Sequence, residues 1–295
     1  MKMKKSIITF FFTLITSVFS FAQFSHCKVA EIEELKKNGT VVVGISDDAV
    51  TNHEVQEIMK IYWTTGKFKV IKRSEIAAYI TANPANYVLT YIADMDAHNF
   101  NTNQTSRKLP NGNEVGKIQF MGDCLILAKN LTKSKELNLT DAMTQCYVDF
   151  ELRIVNEKAE FIREVGAINS ILTFPNLQDS LIGKWKIPTI NQKAVTEKEL
   201  WIADVDLNKK ELEANMKAAY FPYQYKVVSK TEIAKAIIEK RKDIVYLARE
   251  EYKLGVNLFL IHSPENNNVL FFTKGEGRFD TKGFEKIKSN KPHEN

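Results

Sequence analysis

The chain has 295 residues, 44% hydrophobic and 26% charged, with only 12 glycines and 7 prolines. That is room for about two domains with real cores, and it excludes a low-complexity, collagen-like or disordered chain. The formal charge of +5 is weak grounds for a nucleic-acid binder: three of the 41 basic residues fall in the first 22 positions, the remaining 38 face 36 acidic ones, and no basic stripe is interleaved with aromatics.

Those first 22 residues read as a secretory signal. Lys2, Lys4 and Lys5 make a basic start, Ile7 to Phe21 an apolar run, and Ser20-Phe21-Ala22 a cleavage site before Gln23. The run is shorter than the roughly 20 residues of a membrane-spanning helix, so cleavage is expected, with no transmembrane segment afterwards. The mature protein is then periplasmic or secreted, in a compartment where disulfides form. Cys27 lies close behind the signal, but Phe24-Ser25-His26 lacks the small residues that precede a lipid-modified cysteine.

The first unit opens with a strand over Thr40 to Ile45, whose Val41-Val42-Val43 suits a strand buried on both faces. Thr51 and Glu54 have capping-box spacing, and the helix that follows presents Val55, Ile58, Met59, Tyr62 and Trp63 at helical intervals. A strand over Phe68 to Ile71, a short helix capped by Ser74 with Ile76 and Ile80 inward, and a strand over Tyr87 to Ile92 complete it. Asn99 to Asn113 reads as a polar loop. Val148, Phe150, Leu152 and Ile154 alternate with polar residues, so a strand is expected there, turning at Asn156 and returning through Phe161-Ile162.

The same plan then repeats. Lys67 to Ala77 and Gln224 to Ala234 match position by position in character, with a strand run before each (Thr40 to Ile45; Glu199 to Val205) and an apolar run after (Tyr87 to Ile92; Ile244 to Ala248). The second helix presents Leu212, Met216, Ala219 and Tyr220. A hairpin is expected over Leu258 to Ile261 and Val269 to Thr273, and the charged tail after Lys274 is expected to fray. The fold class is therefore α/β, with α+β left open: two β-α-β-α-β units, each followed by an antiparallel hairpin. The expected boundaries are 1–22 for the signal, 23–169 for the first domain, 170–196 for a connector and 197–290 for the second domain.

Motifs that carry chemistry are sparse. There is no Gly-x-Ser-x-Gly elbow, no phosphate loop and no Gly-x-Gly-x-x-Gly. The five histidines lie in unrelated contexts, and the acids at Ser46-Asp47-Asp48 and Asp204-Val205-Asp206 would repel a phosphate at those strand-to-helix turns. No catalytic or cofactor-binding residue is assigned, and no cofactor is expected. Asp94, Asp96 and His98 alternate on an extended segment and are the nearest approach to a cation site. Asp47, Asp48, His53 and Glu54 are a weaker one, since acids there more often cap a helix. Cys124 and Cys146 both border strand-like runs, leaving open either a disulfide between them or two buried thiols.

The repeated element, aromatic-x-Val-Ile/Val followed by Arg/Lys-Ser/Thr-Glu-Ile, resembles the β-α unit of TolB amino-terminal domains and curli-secretion (CsgG-like) proteins. The likeness covers about ten residues in each copy, at Phe68 to Ile76 and Tyr225 to Ile233. It implies a noncatalytic periplasmic module that binds envelope partners, and it transfers no binding residue. The expectation is thus an exported envelope protein, not an enzyme, acting in protein binding or assembly. The alternatives are a binding protein holding a small ligand between its domains, or a hydrolase whose site the sequence does not reveal. An envelope protein is the expected partner and nucleic acid is not; oligomeric state is left open.

Overall fold

The structure, a computed structural model, describes residues 29–83, 87–92, 124–129, 142–173, 192–210, 213–251 and 256–289. Within them, the first sheet comprises β1 (Thr40–Val43), β2 (Lys67–Val70), β3 (Tyr87–Ile92), β4 (Cys124–Lys129) and β5 (Ala142–Tyr147), in the order β2-β1-β3-β4-β5. The second comprises β6 (Glu199–Ala203), β7 (Tyr225–Val228), β8 (Ile244–Glu251), β9 (Val256–His262) and β10 (Val269–Glu276), in the order β7-β6-β8-β9-β10. The two orders are the same topology. In each sheet the first strand runs parallel to the second and third, and an antiparallel hairpin extends the far side. The α/β reading with two repeated units therefore holds.

Register fixes which residues correspond. Val41 pairs with Phe68 and Tyr87, as Leu200 pairs with Tyr225 and Val245. Counting on from these pairs, Val42 corresponds to Trp201 and Asp47 to Asp206.

Helix α1 (Val29–Asn38) precedes the first strand and buries Ile32 and Leu35. Helix α2 (Ala49–Tyr62) lies on the same face of the first sheet, burying Val55, Ile58, Met59 and Tyr62. Its cap is Asp48, not Thr51 as expected: the Asp48 carboxylate accepts from the Thr51 amide at 2.7 Å and its hydroxyl at 2.9 Å, starting the helix earlier. Helix α3 (Ile76–Ala82) covers the other face through Ile76 and Ile80.

The chain after β5 departs from expectation. Where alternation suggested a strand, two helices form, α4 (Phe150–Val155) and α5 (Glu157–Thr173). Asp149 Oδ1 accepts from the Leu152 amide at 3.1 Å and Asn156 Oδ1 from the Ala159 amide at 3.0 Å, so each helix is nucleated by a side-chain cap. The first unit's hairpin is instead β4 with β5. Every residue of α5 from Ala159 to Leu172 is buried, so no amphipathic period marks it. It also runs through the expected domain boundary at 169/170.

Helix α6 (Gln192–Thr196) places Val195 in the second core, and α7 (Glu213–Tyr220) adds Met216 and Tyr220. Helix α8 (Lys230–Ile238) is capped by Ser229, two residues before the expected Thr231: Ser229 Oγ accepts from the Glu232 amide at 3.2 Å while Glu232 accepts from the Ser229 amide at 2.8 Å. In the first copy Glu75 reaches back to the Lys72 amide at 3.4 Å, so the repeated glutamate does the same work twice. The tail after Lys274 does not fray within the described residues. It completes β10 and forms α9 (Thr281–Ser289), whose Phe284 and Ile287 are buried beside Phe279.

The units stack through different faces. The first sheet presents Val41, Val43, Tyr87, Leu89, Tyr91 and Leu125 inward; the second presents Trp201, Ala203, Tyr246 and Ala248. Helices α1, α2, α4, α5 and α8 fill the layer between them in one continuous core. Helix α3 lies outside the first sheet, and α6, α7 and α9 outside the second. No helix among the described residues is long and apolar enough to cross a membrane.

Candidate functional site

The densest chemistry lies around α5, between the sheets. Arg163 is fully buried and makes four hydrogen bonds: two to Glu160, at 2.8 and 2.7 Å, one to Glu250 of β8 at 2.6 Å, and one to the Tyr147 carbonyl at 2.6 Å. Glu250 also accepts from the Cys146 thiol at 3.2 Å and the Tyr147 amide at 3.3 Å. One guanidinium thus joins the central helix, the edge of the first sheet and the third strand of the second. Such bidentate pairs are the strong kind.

A second set lies at the start of α8. Lys230 reaches Asp149 at 2.5 Å and Asp206 at 2.6 Å, and Arg249 Nε stands 3.1 Å from the other Asp206 oxygen. The two buried carboxylates and the cluster's charges hold the Lys230 ammonium well above its ordinary value against desolvation. Desolvation pushes the Asp206 carboxyl up, with Lys230 and Arg249 opposing. The corresponding acid of the first unit, Asp47, is exposed and accepts from the Ser74 amide and hydroxyl at 2.9 and 2.8 Å, which hold it below the usual carboxylate range. The acids expected as weak cation ligands, Asp47 and Asp48, are therefore helix-start partners. Asp204 pairs with Lys209, and His53 is exposed.

A third set joins Tyr91, Glu164 and Arg153. The Tyr91 hydroxyl donates to Glu164 Oε2 in a short contact, Arg153 lies 3.6 Å from the other oxygen, and its guanidinium stands 4.7 Å from the Tyr91 ring centroid. Burial, with the Glu160 charge nearby, pushes the Glu164 carboxyl up to about 8. At the far end, His262 stacks on Tyr246 with 5.3 Å between centroids, and its Nδ1 is 3.0 Å from the Asn267 carbonyl. Burial lowers this imidazole to about 3, so it stays neutral. Apart from Arg249, which is 13% exposed, the charged side chains of these three sets are buried and pack the layer between the sheets.

Cys124 and Cys146 are free and lie on opposite faces of the first sheet. Cys146 pairs with Leu125 and Cys124 with Tyr147, so alternation points the thiols apart and no bridge closes between them. Asp94, Asp96 and His98 lie outside the described residues. Among the described residues no three His, Cys, Asp or Glu side chains gather to hold a metal.

The surface offers an open cleft of about 410 Å³ beside α8, lined by Trp201, Lys226, Glu232, Lys235, Glu239 and Arg241 among others. The Trp201 indole N–H donates to Glu199 at 2.7 Å, and Lys226 and Arg241 stand over its ring. Glu232 is engaged in the Ser229 cap and Arg241 with Asp243. Sequence reasoning missed this cleft because Trp201 reads as one more strand residue. It missed the α5 cluster because the charges come from segments that read as an exposed hairpin face.

Comparison of the chain with protein-family models, with curated proteins and with solved structures finds no match.

Proposed function

We propose that the protein is an exported, noncatalytic envelope protein whose two-unit body binds another envelope protein along a sheet edge. The observation that carries this reading is the outer edge of β7. Among the described residues this strand pairs with β6 alone, leaving its other side open. Val227 within it is 43% exposed, and Phe221, in the turn leading to it, is 70% exposed. The corresponding edge in the first unit, β2, turns Phe68 and Val70 against the core and shows Lys67 and Lys69 to solvent. β7 keeps one of these lysines, Lys226, but exposes Val227 where β2 half-buries Val70; lysines on an edge resist pairing, whereas exposed apolar residues invite an added strand.

The signal-like start supports export, and the buried ionic groups around α5 are committed to packing. A photo-cross-linking residue at position 227, introduced in the full precursor, tests the reading in the native envelope. A defined protein adduct is expected from position 227 and not from position 50, although Val50 on α2 is the more exposed of the two, at 72%. Equal labelling at both positions, or a small molecule retained through purification, would overturn it. Fractionation of the same cells places the product outside the cytoplasm if export is correct.

A further inference from the structure

We propose that a single proton on Glu164 seats the central helix α5 between the two sheets, making the joint between the units proton-linked. The argument begins with charge. Five buried carboxyl groups, Asp149, Glu160, Glu164, Asp206 and Glu250, meet four cations, Arg153, Arg163, Lys230 and Arg249, among the described residues. Unbalanced charge in a dry interior is expensive, and a carboxyl group relieves it by keeping its proton.

Geometry selects the carboxyl. Glu160 receives two bonds from Arg163; Glu250 has Arg163 at 2.6 Å; Asp149 and Asp206 share Lys230 at 2.5 and 2.6 Å. Glu164 has the longest cation distance, 3.6 Å to Arg153; the hydroxyl that Tyr91 donates to its other oxygen is neutral, and although that hydrogen bond favours the ionised form it does not offset burial. The groups facing it are Tyr91 from β3, Arg153 from α4, Cys146 from β5, and Glu160 and Arg163 from α5 itself. Glu250 of β8 and Lys230 of α8 complete the cluster. The hydrogen bonds of α5 to α2 and β10 are neutral: Asn169 to the Tyr62 carbonyl, and the Val269 amide to Ser170.

Loss of this proton places a second negative charge beside Glu160 and draws on Arg163, the residue that ties α5 to Glu250. The sign follows from linkage. Glu164 holds its proton in the packed state up to about pH 8 and, once exposed, only to the ordinary value of 4.5. Over that window the opened state carries fewer protons, so rising pH favours opening; above the folded value both states are ionised and the effect levels off.

The test is hydrogen exchange of the α5 amides in the mature protein, corrected for the intrinsic exchange rate, with Glu164→Gln as a fixed neutral counterpart. The opening constant is expected to rise roughly tenfold from pH 6.5 to 7.5 and to level above pH 8; it stays flat in the variant. This window begins at the ordinary value of His262, 6.5, so that group, if it opens with α5, changes the opening constant by at most about twofold, and in the opposite direction. An unchanged opening constant in the native protein, or the same rise in Glu164→Gln, overturns the proposal. Should the variant fail to fold, isotope-edited infrared spectroscopy of the native protein at pH 7 decides it. A protonated carboxyl band that disappears on titration toward pH 9 supports the proposal, and its absence at pH 7 overturns it.

Discussion

Lys226 stands over the ring of Trp201, 5.2 Å from its centroid, and the corresponding Lys69 stands over Tyr79 at 4.7 Å. The lysines are equivalent, but the aromatic rings come from opposite partners. In the first unit the strand supplies Val42 and the helix Tyr79; in the second the strand supplies Trp201 and the helix Ala236. One large and one small residue meet in each copy, and the cleft beside α8 opens where Ala236 replaces the tyrosine. Ala236→Tyr alone should overpack the site at about 1–3 kcal/mol, and Trp201→Val alone should cost about 3 kcal/mol through a cavity. The double variant should recover at least about 1 kcal/mol relative to their sum. A urea-denaturation double-mutant cycle measures this; strict additivity would show that the exchange of sizes is coincidental.

Removing Arg163 leaves Glu160 and Glu250 buried without their shared cation. Arg163→Met should therefore lose about 3–5 kcal/mol, the usual cost of breaking a buried pair. Adding Glu250→Gln to that variant should restore part of the loss, because one stranded charge goes with it. Chemical denaturation of the three proteins gives the answer.

Gly166 sits inside α5, where alanine would ordinarily gain about 1 kcal/mol. Here a β-carbon would come within 2.3 Å of the Asn267 carbonyl oxygen, in the β9–β10 turn. That turn holds Asn267 at φ 56° and fastens it to Ser263, Tyr246 and His262. Gly166→Ala should therefore lower the melting temperature, with a cost of about 1–3 kcal/mol. A rise would mean that the turn yields freely.

The acid side of the stability profile should bear the mark of His262. The folded imidazole protonates only near pH 3, against an ordinary 6.5, so the unfolded chain binds more protons between those values. Stability from this group is complete above pH 6.5 and falls as pH drops toward 3, by up to about 1.4 kcal/mol per unit. Between 4.5 and 6.5 the Glu164 proton opposes this dependence, so in pH-dependent denaturation His262→Phe should make stability fall with rising pH there and should flatten the limb below 4.5, where the part due to Asp149, whose carboxyl Lys230 holds low, remains.

The repeat was legible because it is written in local chemistry. The matched aromatic, Val and Ser/Thr-Glu-Ile positions set strand pairing and a helix start, and the structure returns the same strand order twice. The second hairpin was legible for the same reason, as two apolar runs, Leu258 to Ile261 and Val269 to Thr273, around the Ser263–Asn268 turn. The α4–α5 segment was not. A helix buried on every side shows no polar face, and Val148 to Ile154 alternates by coincidence while Asp149 caps a helix. Helix α9 was hidden by its lysines, whose charge outweighs the brief Phe284–Ile287 signal. Glu160 is an i,i+3 neighbour of Arg163, but the cluster also depends on Tyr147 and on Glu250, 87 residues away, which no local pattern encodes.

The stacking of unlike faces bears on how far such a chain can grow. A two-fold pair buries the same surface of each copy and closes itself, whereas a front-to-back pair leaves a front and a back unsatisfied and can in principle add members without end. Here the back of the first sheet carries α3 and a second buried patch of Ile92, Cys124, Ile126, Ala128 and Tyr147, and the front of the second carries α6, α7 and α9. These act as the capping layers of a two-member array. Among the described residues neither outer sheet face is left bare for a third copy to settle on.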